Sequence, residues 1–207
     1  MEFVQKKYKI VYADPPWEYR VWSEKGKGRN AESHYTTRPI DFLKSFNVPS
    51  FVADDCALLL WATFPCLKEA FALGDAWGFI YKTVAFTWIK LNRNNHKPFV
   101  GMGHYTRANA EIVLLFTKGK PLKRATKNVE QVLISKIGRH SQKPPEIRSR
   151  IVQLFGDLPR IELFARSRKG FFPDYEYEGW DVYGNEVNHS ISFPEAGKQQ
   201  NDLITIK

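Results

Sequence analysis

Four consecutive residues combine an acid, two prolines and a large aromatic ring: Asp14-Pro15-Pro16-Trp17. They follow an apolar run, residues 8–13, that is typical of a buried β-strand. The prolines end that strand, because neither can donate a hydrogen bond to a neighbouring strand. A carboxylate and a proline carbonyl are two acceptors, which suit an exocyclic amine with its two N–H donors. An indole beside them offers a flat base a stacking surface.

The same residues have a plainer interpretation. Asp-Pro-Pro is a good turn sequence, and a tryptophan after it could simply belong to the core. The position directly after a buried strand favours a binding site instead, because ligands of α/β sheets bind at the carboxyl ends of the strands.

Composition indicates one globular domain without metal or disulfide support. The chain has 207 residues, of which 43% are hydrophobic and 26% charged, as in ordinary globular proteins. Cys56 and Cys66 lie ten residues apart in an apolar region, which is neither a zinc spacing nor a disulfide framework. We expect two buried thiols in a reducing compartment and no metal, because the histidines show no ligand spacing either.

Targeting signals are not evident. Residues 1–7 contain no apolar core of a signal peptide. The longest apolar stretch, residues 56–66, is too short to span a bilayer. The sequence therefore predicts a cytoplasmic protein with no membrane partner.

The positive charge is concentrated in one part of the chain. The formal net charge is +9, and residues 118–169 hold fourteen Lys and Arg against four Asp and Glu. Residues 171–187 carry five acids and no base. A basic segment of this density indicates a polyanion partner, most simply nucleic acid, although a solvated basic face is an equal alternative on charge alone.

Apolar runs alternate with helical patterns along the chain. Strands are predicted at 8–13, 57–62, 79–90, 111–116, 131–134 and 160–165, helices at 37–46, 65–77 and 144–155, and a last ordered piece at 177–187. This alternation predicts an α/β fold, a mostly parallel sheet with helices on both faces. We expect one domain over residues 1–187 and a weakly patterned tail over 188–207. The long loops 18–36 and 92–109 are typical of binding loops or lids.

With these elements in place, the chain closely resembles the MT-A70 family of adenine-N6 methyltransferases, in particular its prokaryotic or phage DNA-modifying members. The resemblance covers about residues 8–187. It is carried by Asp14-Pro15-Pro16-Trp17, 88–90, 101–111, 140–144, 161–166, Gly179-Trp180 and Gly184-Asn185. Each segment is weak alone, but their shared order and spacing make the match strong.

The resemblance implies a Rossmann-like methyltransferase fold in permuted order, with the catalytic motif first and part of the donor site last. It implies S-adenosylmethionine as cofactor and DNA, or alternatively RNA, as partner. The permuted order accounts for the missing G-x-G-x-x-G after the first strand. The donor loop is expected at residues 165–168, which lack the glycines of many relatives.

Roles follow from the resemblance residue by residue. The catalytic residues are Asp14, Pro15, Pro16 and Trp17, of which Asp14 and the Pro15 carbonyl accept the two amine hydrogens and Trp17 stacks on the base. The cofactor-binding residues are Ala13, Asp14, His140, Ser141, Lys143, Leu163, Phe164, Arg166, Asn185 and Glu186. The substrate-binding residues are Trp17, Tyr35, Lys90, Asn92, Arg93 and Glu111. Within the donor set, Lys143 lies near the donor carboxylate, and Arg166 and Asn185 hold its ribose.

Two positions depart from the family pattern. Glu186 stands where relatives often carry Gln, so its side chain loses an amide donor. Longer relatives also place a donor-binding acid well upstream of the motif. The thirteen residues that precede Asp14 show no counterpart.

The chemistry expected of this motif is positioning and electrostatics. The adenine amine is a poor nucleophile because its lone pair is delocalised into the ring. Two acceptors on its N–H bonds can direct the lone pair at a methyl sulfonium for in-line displacement. An ionised Asp14 suits this task. A base inside a duplex must first be flipped into a pocket, where loop 92–97 has residue types that can read base edges or grip phosphates.

The sequence is compatible with three functions. The first is adenine-N6 methylation of DNA, preferred over RNA because the chain is short and shows no appended RNA-binding domain. The second is a catalytically silent nucleic-acid-binding subunit on the same fold, against which the intact motif argues. The third is a protein glutamine methyltransferase, although such enzymes usually have Asn and Tyr where this chain has Asp14 and Trp17. The sequence does not distinguish a monomer from a homodimer.

Overall fold

The computed structural model describes residues 6–18, 38–101, 103, 105–138, 141–166, 177–184 and 187. Within these residues, seven strands form one sheet: β1 (Tyr8–Ala13), β2 (Val52–Ala62), β3 (Ile80–Leu91), β4 (Ala110–Lys118), β5 (Val132–Lys136), β6 (Arg160–Leu163) and β7 (Asp181–Tyr183). The described helices that connect them are α1 (Ile40–Lys44), α2 (Leu67–Ala76) and α3 (Glu146–Phe155).

The strands lie in the order β5-β3-β4-β2-β1-β6-β7. Pairing is parallel between β1 and β2, β1 and β6, β6 and β7, and β3 and β5. Strand β4 is antiparallel to both of its neighbours, β2 and β3. Six of the seven described strands therefore end at one edge of the sheet, here called the catalytic edge, and β4 begins there.

Alternation along the central strands produces two cores, one on each face of the sheet. Val11 and Ala13 pack in a cluster that includes residues of α1 and α2, whereas Ile10 and Tyr12 pack with α3. Both faces are thus covered by helices, and the predicted α/β fold with a mostly parallel sheet is confirmed.

Proline and glycine set several boundaries, as expected. Helix α1 begins after Pro39, and α3 begins after Pro145 and ends at Gly156, where φ is +82°. A 3₁₀ turn over Phe64–Cys66 precedes α2. The prediction was wrong at the start of β2, which begins five residues earlier than residue 57 because the polar residues Asp54 and Asp55 still belong to the strand.

The two cysteines are buried free thiols, as the sequence indicates. Burial raises the pKa of Cys56 to about 12 and also raises that of Cys66, so both thiols stay protonated at neutral pH. The described part of the chain contains no group of three or more His, Cys, Asp or Glu placed to hold a metal ion. None of its helices has the length and apolarity needed to cross a bilayer.

Candidate active site

The reversed direction of β4 brings distant residues together at the catalytic edge. Asp14 follows the end of β1, and Lys90 lies near the end of β3. Glu111 is the second residue of β4 and pairs with Trp88 of β3. Had β4 run parallel to its neighbours, Glu111 would lie at the opposite edge of the sheet.

Four charged side chains form an alternating cluster at this edge. The Nζ atom of Lys143, which precedes α3, lies 2.9 Å from Oδ1 of Asp14 and 3.2 Å from Oε2 of Glu111. Lys90 donates to Oε1 of Glu111. The side chains are only 14–18% exposed, so their mutual attraction is screened less than that of surface pairs. We call Asp14, Lys90, Glu111 and Lys143 the charge cluster.

The protonation of Glu111 is controlled by its two lysine neighbours. Burial alone would raise the pKa of Glu111, but the ammonium groups of Lys143 and Lys90 outweigh burial and hold that pKa below its ordinary value. Glu111 is therefore a carboxylate at neutral pH. The cluster then contains two cations and two anions, and Lys143 is shared between the two anions.

Two aromatic side chains, Trp61 and Tyr12, lie next to the charge cluster. Nζ of Lys143 lies 5.3 Å from the centroid of Trp61, a distance that permits a cation–π interaction. The Trp61 indole donates to the hydroxyl of Tyr12 at 2.6 Å. Burial, followed by the charge of Glu162, raises the pKa of Tyr12, so this hydroxyl stays neutral.

Trp17 is placed differently from its predicted role. Its ring is 5% exposed, belongs to the core, and donates from Nε1 to the carbonyl of Trp61 at 3.0 Å. A ring buried in this way presents little surface for a base to stack on. The observed role of Trp17 is to anchor the end of β1 to β2, and stacking by this residue stays a prediction.

The two prolines hold the chain that follows β1. The Pro15 carbonyl accepts a hydrogen bond from the backbone N–H of Trp17 at 2.8 Å, and the Pro16 carbonyl accepts one from Arg38 at 2.9 Å. A carbonyl oxygen has two lone pairs. The second lone pair of the Pro15 carbonyl oxygen is the acceptor that the predicted role of Pro15 requires.

Several predicted donor residues lie where β1 and β6 end side by side. Ala13 pairs with Leu163 in the parallel register, and the backbone N–H of Asp14 donates to the Leu163 carbonyl at 3.4 Å. Chain connections leave β1 toward β2 and β6 toward β7, in opposite directions across the sheet. Such a switch point forms a ligand crevice in open α/β sheets.

Two residues near this crevice have unusual backbone conformations. Ser141 and Phe164 have φ values of +57° and +63°, which are rare for residues other than glycine and cluster at functional sites. Gly184, after β7, meets the chain after β6 so closely that a Cβ atom would lie 2.0 Å from the Ala165 carbonyl oxygen. The predicted site residues Tyr35, His140, Asn185 and Glu186 lie outside the described residues.

The loop between β3 and β4 returns over the catalytic edge. The side-chain amide of Asn92 donates to the carbonyls of Lys97 and Pro98, both at 3.2 Å. Arg93 donates to the carbonyl of Gly138, between β5 and α3. Both predicted substrate residues thus make contacts that shape the loops, which the sequence did not indicate, and their contacts with a substrate stay predictions.

The described part of the basic segment 118–169 is divided between the two edges of the sheet. Lys118 ends β4 and Lys120 follows it. The nine residues of β4, at about 3.3 Å per residue, separate them from the start of the strand by roughly 26 Å. Lys136, the last residue of β5, and Lys143 lie at the catalytic edge. Basic residues that are close in sequence are therefore separated in the fold, because β5 runs back to the edge at which β4 begins.

Sequence reasoning missed the polar network beneath the crevice. Arg148 of α3 makes a bidentate ion pair with Glu162 of β6, with distances of 2.5 and 2.7 Å, and both residues are buried. A signal was available, because an acid in a strand with apolar neighbours on both sides is buried only with a partner. The sequence does not show which of many basic residues is that partner.

Comparisons with known proteins identify a family and several relatives. The family model described as MT-A70 matches residues 8–186. The type II methyltransferase M.MunI of Mycoplasma sp is 38% identical over 211 aligned positions, which cover 94% of this chain and 84% of the relative.

More distant relatives are longer proteins. The N(6)-adenosine-methyltransferase catalytic subunit METTL3 of Homo sapiens is 27% identical over 88% of this chain and 28% of its own length. A putative N(6)-adenosine-methyltransferase of Medicago truncatula is 26% identical over 88% of this chain and 27% of its own length. The present chain therefore spans about a quarter of those two proteins.

Proposed function

Because the chain belongs to the MT-A70 family, we propose that it transfers a methyl group from S-adenosylmethionine to the N6 amine of adenine in DNA. The observation that carries this proposal is the position of Asp14. Its carboxylate is partly exposed at the catalytic edge, directly after the central strand β1, and is oriented by an ammonium group at 2.9 Å.

The residues of the crevice fit the chemistry of the donor. S-adenosylmethionine, when bound, supplies an electrophilic methyl group on a sulfonium centre. Arg166 follows β6, and Lys143 offers an ammonium group that can face a carboxylate. The left-handed backbone at Ser141 and Phe164 is the kind of strain found where a chain curves around a ligand.

Asp14 performs the central task toward the target base. Its carboxylate accepts one amine hydrogen, and the free lone pair of the Pro15 carbonyl accepts the other, so that the nitrogen lone pair points away from both. Lys143 holds Oδ1 of Asp14 in place, which leaves Oδ2 to face the amine. Preorganised acceptors of this kind need no reorganisation when the methyl group is transferred.

Glu111 and Lys90 support this arrangement from the β3–β4 hairpin. Glu111 shares Lys143 with Asp14, and Lys90 neutralises the second oxygen of Glu111. The two lysines and the two acids face one another, so the charge cluster carries no net charge. Substrate contacts by Lys90, Asn92, Arg93, Glu111 and, outside the described residues, Tyr35 belong to this proposal.

DNA is favoured over RNA by the extent of the sequence match. The type II methyltransferase is matched over 84% of its length, whereas the N(6)-adenosine-methyltransferases are matched over little more than a quarter of theirs. The loop 92–109 carries three basic residues and no acid and returns over the catalytic edge, where it can contact phosphates.

The test is a competition for labelled methyl groups. Purified protein is incubated with tritiated S-adenosylmethionine and equal amounts of duplex DNA and structured RNA, and the products are sequenced for N6-methyladenine. We expect label in adenine of the DNA. Label mainly in RNA would overturn the choice of substrate. Donor binding without label in either nucleic acid would favour the catalytically silent subunit, and label in protein would favour the glutamine methyltransferase.

A further inference from the structure

Tyr177 makes two hydrogen bonds to the backbone of one residue in the predicted donor loop. Its hydroxyl accepts from the N–H of Arg166 at 3.2 Å and donates to the carbonyl of Arg166 at 2.7 Å. The tyrosine is 9% exposed. A side chain eleven residues away in sequence therefore bonds both the N–H and the carbonyl of Arg166.

The ring of Tyr177 rests on the buried ion pair beneath the crevice. The guanidinium carbon of Arg148 lies 4.6 Å from the ring centroid, within the range of a cation–π interaction. Arg148 is fixed in turn by its bidentate bond to Glu162, one residue before the end of β6. Arg148 and Tyr177 therefore link Glu162, within β6, to Arg166, which follows the same strand.

The segment from Phe164 to Arg166 needs such support. Phe164 has a φ of +63°, a conformation that costs energy and persists only when its surroundings enforce it. The N–H of Ala165 donates to the Tyr183 carbonyl at 3.0 Å, and Gly184 allows the two chains to approach. Tyr177 adds the support at the far end of the segment.

We propose that Tyr177 is a positioning residue for the methyl donor: through its hydroxyl it fixes the backbone of Arg166, and thereby the direction in which the Arg166 side chain meets the donor. This inference rests on the proposed function, in which Arg166 holds the donor ribose. Tyr177 itself touches neither the target base nor the reacting atoms.

The test is Tyr177→Phe, which keeps the ring over Arg148 and removes only the hydroxyl. We expect the donor Kd and the donor KM to rise about tenfold, since two hydrogen bonds to one peptide segment are lost. The kcat at saturating donor and the KM for DNA should stay within about twofold. A purely structural role would not produce this separation of donor KM from kcat.

Tyr8→Phe is the matched control. Tyr8 is buried at the start of β1, on the edge opposite the crevice, and its hydroxyl bonds to Asp181. This variant should lower the unfolding temperature and leave the donor KM unchanged. Equal changes of donor KM in the two variants, or no change in Tyr177→Phe, would overturn the inference.

A double-mutant cycle tests whether the effect passes through Arg166. If it does, Tyr177→Phe in an Arg166→Ala background should cost no further donor affinity, whereas independent effects would add and overturn the inference. Calorimetry on the wild-type protein separates the two levels of proposal. A wild-type protein that binds no S-adenosylmethionine overturns the proposed function together with this inference. Wild-type binding that Tyr177→Phe leaves unchanged overturns the inference alone.

Discussion

Replacing Asp14 by Asn tests the charge of the acceptor at constant shape. In the structure, Oδ1 of Asp14 accepts from the Lys143 ammonium at 2.9 Å with 17% of the side chain exposed. An amide keeps one acceptor oxygen but replaces the other with an N–H₂ donor. Either Lys143 or the target amine then faces a donor instead of an acceptor.

The size of the effect follows from the type of bond that is lost. A hydrogen bond to a charged group contributes about 1.5–3 kcal/mol, so Asp14→Asn should lower the rate of methyl transfer roughly 10- to 150-fold. Asp14→Ala removes both oxygens and should abolish measurable transfer. Donor affinity should change little in either variant, because the carboxylate is directed at the amine of the target base.

The assay is single-turnover transfer of tritiated methyl to duplex DNA, with the donor Kd measured by calorimetry. Asp157→Asn is the matched control, because that side chain is 89% exposed and lies before β6 at the opposite edge. Transfer by Asp14→Asn within twofold of wild type, or near-normal turnover by Asp14→Ala, would refute the assignment of Asp14 as the amine acceptor.

Three further outcomes follow from the structure. The lowered pKa of Glu111 means that its carboxylate stabilises the fold at neutral pH, and that this stabilisation is lost as the pH falls through that pKa. Glu111→Gln should therefore flatten the acid side of a plot of unfolding temperature against pH. An unchanged acid side would contradict the pairing of Glu111 with the two lysines. Arg148→Met leaves its buried carboxylate partner unpaired and should destabilise the protein by about 3–5 kcal/mol in urea unfolding, whereas a loss below about 1 kcal/mol would show that the pair contributes little. Lys97→Glu, in the loop at the catalytic edge, should weaken DNA binding and reduce its salt dependence in fluorescence anisotropy, while Lys120→Glu at the opposite edge should not; the reverse result would place the DNA on the other edge.

Local features of the sequence predict the elements and the first member of the site. Apolar runs fix β1, β3 and β4 to within two residues, because a buried strand must be apolar at consecutive positions. Proline marks the end of β1 and the starts of α1 and α3, because its ring blocks strand pairing and suits a first helical turn. Asp14 is therefore placed at a strand's carboxyl end by residues adjacent to it in sequence.

The outcome for Trp17 and the basic segment shows the limit of such reasoning. A tryptophan after a proline has the same local pattern whether its ring faces a ligand or the core. Its burial is decided by the Trp61 carbonyl, a partner 44 residues away. Counting charges along the chain likewise does not show on which edge of the sheet they lie. Lys120 lies at one edge and Lys143 at the other, because the chain turns back between β4 and β5.

Periodicity and turn chemistry predict the fold class, the order of elements and the acid at the end of β1, because they act between neighbouring residues. The antiparallel direction of β4, which brings Glu111 to Lys143 and Asp14, is visible only in the folded chain. The same holds for the contact between Tyr177 and Arg166. Strand direction and side-chain partners depend on contacts between distant segments, whose energies no local pattern records.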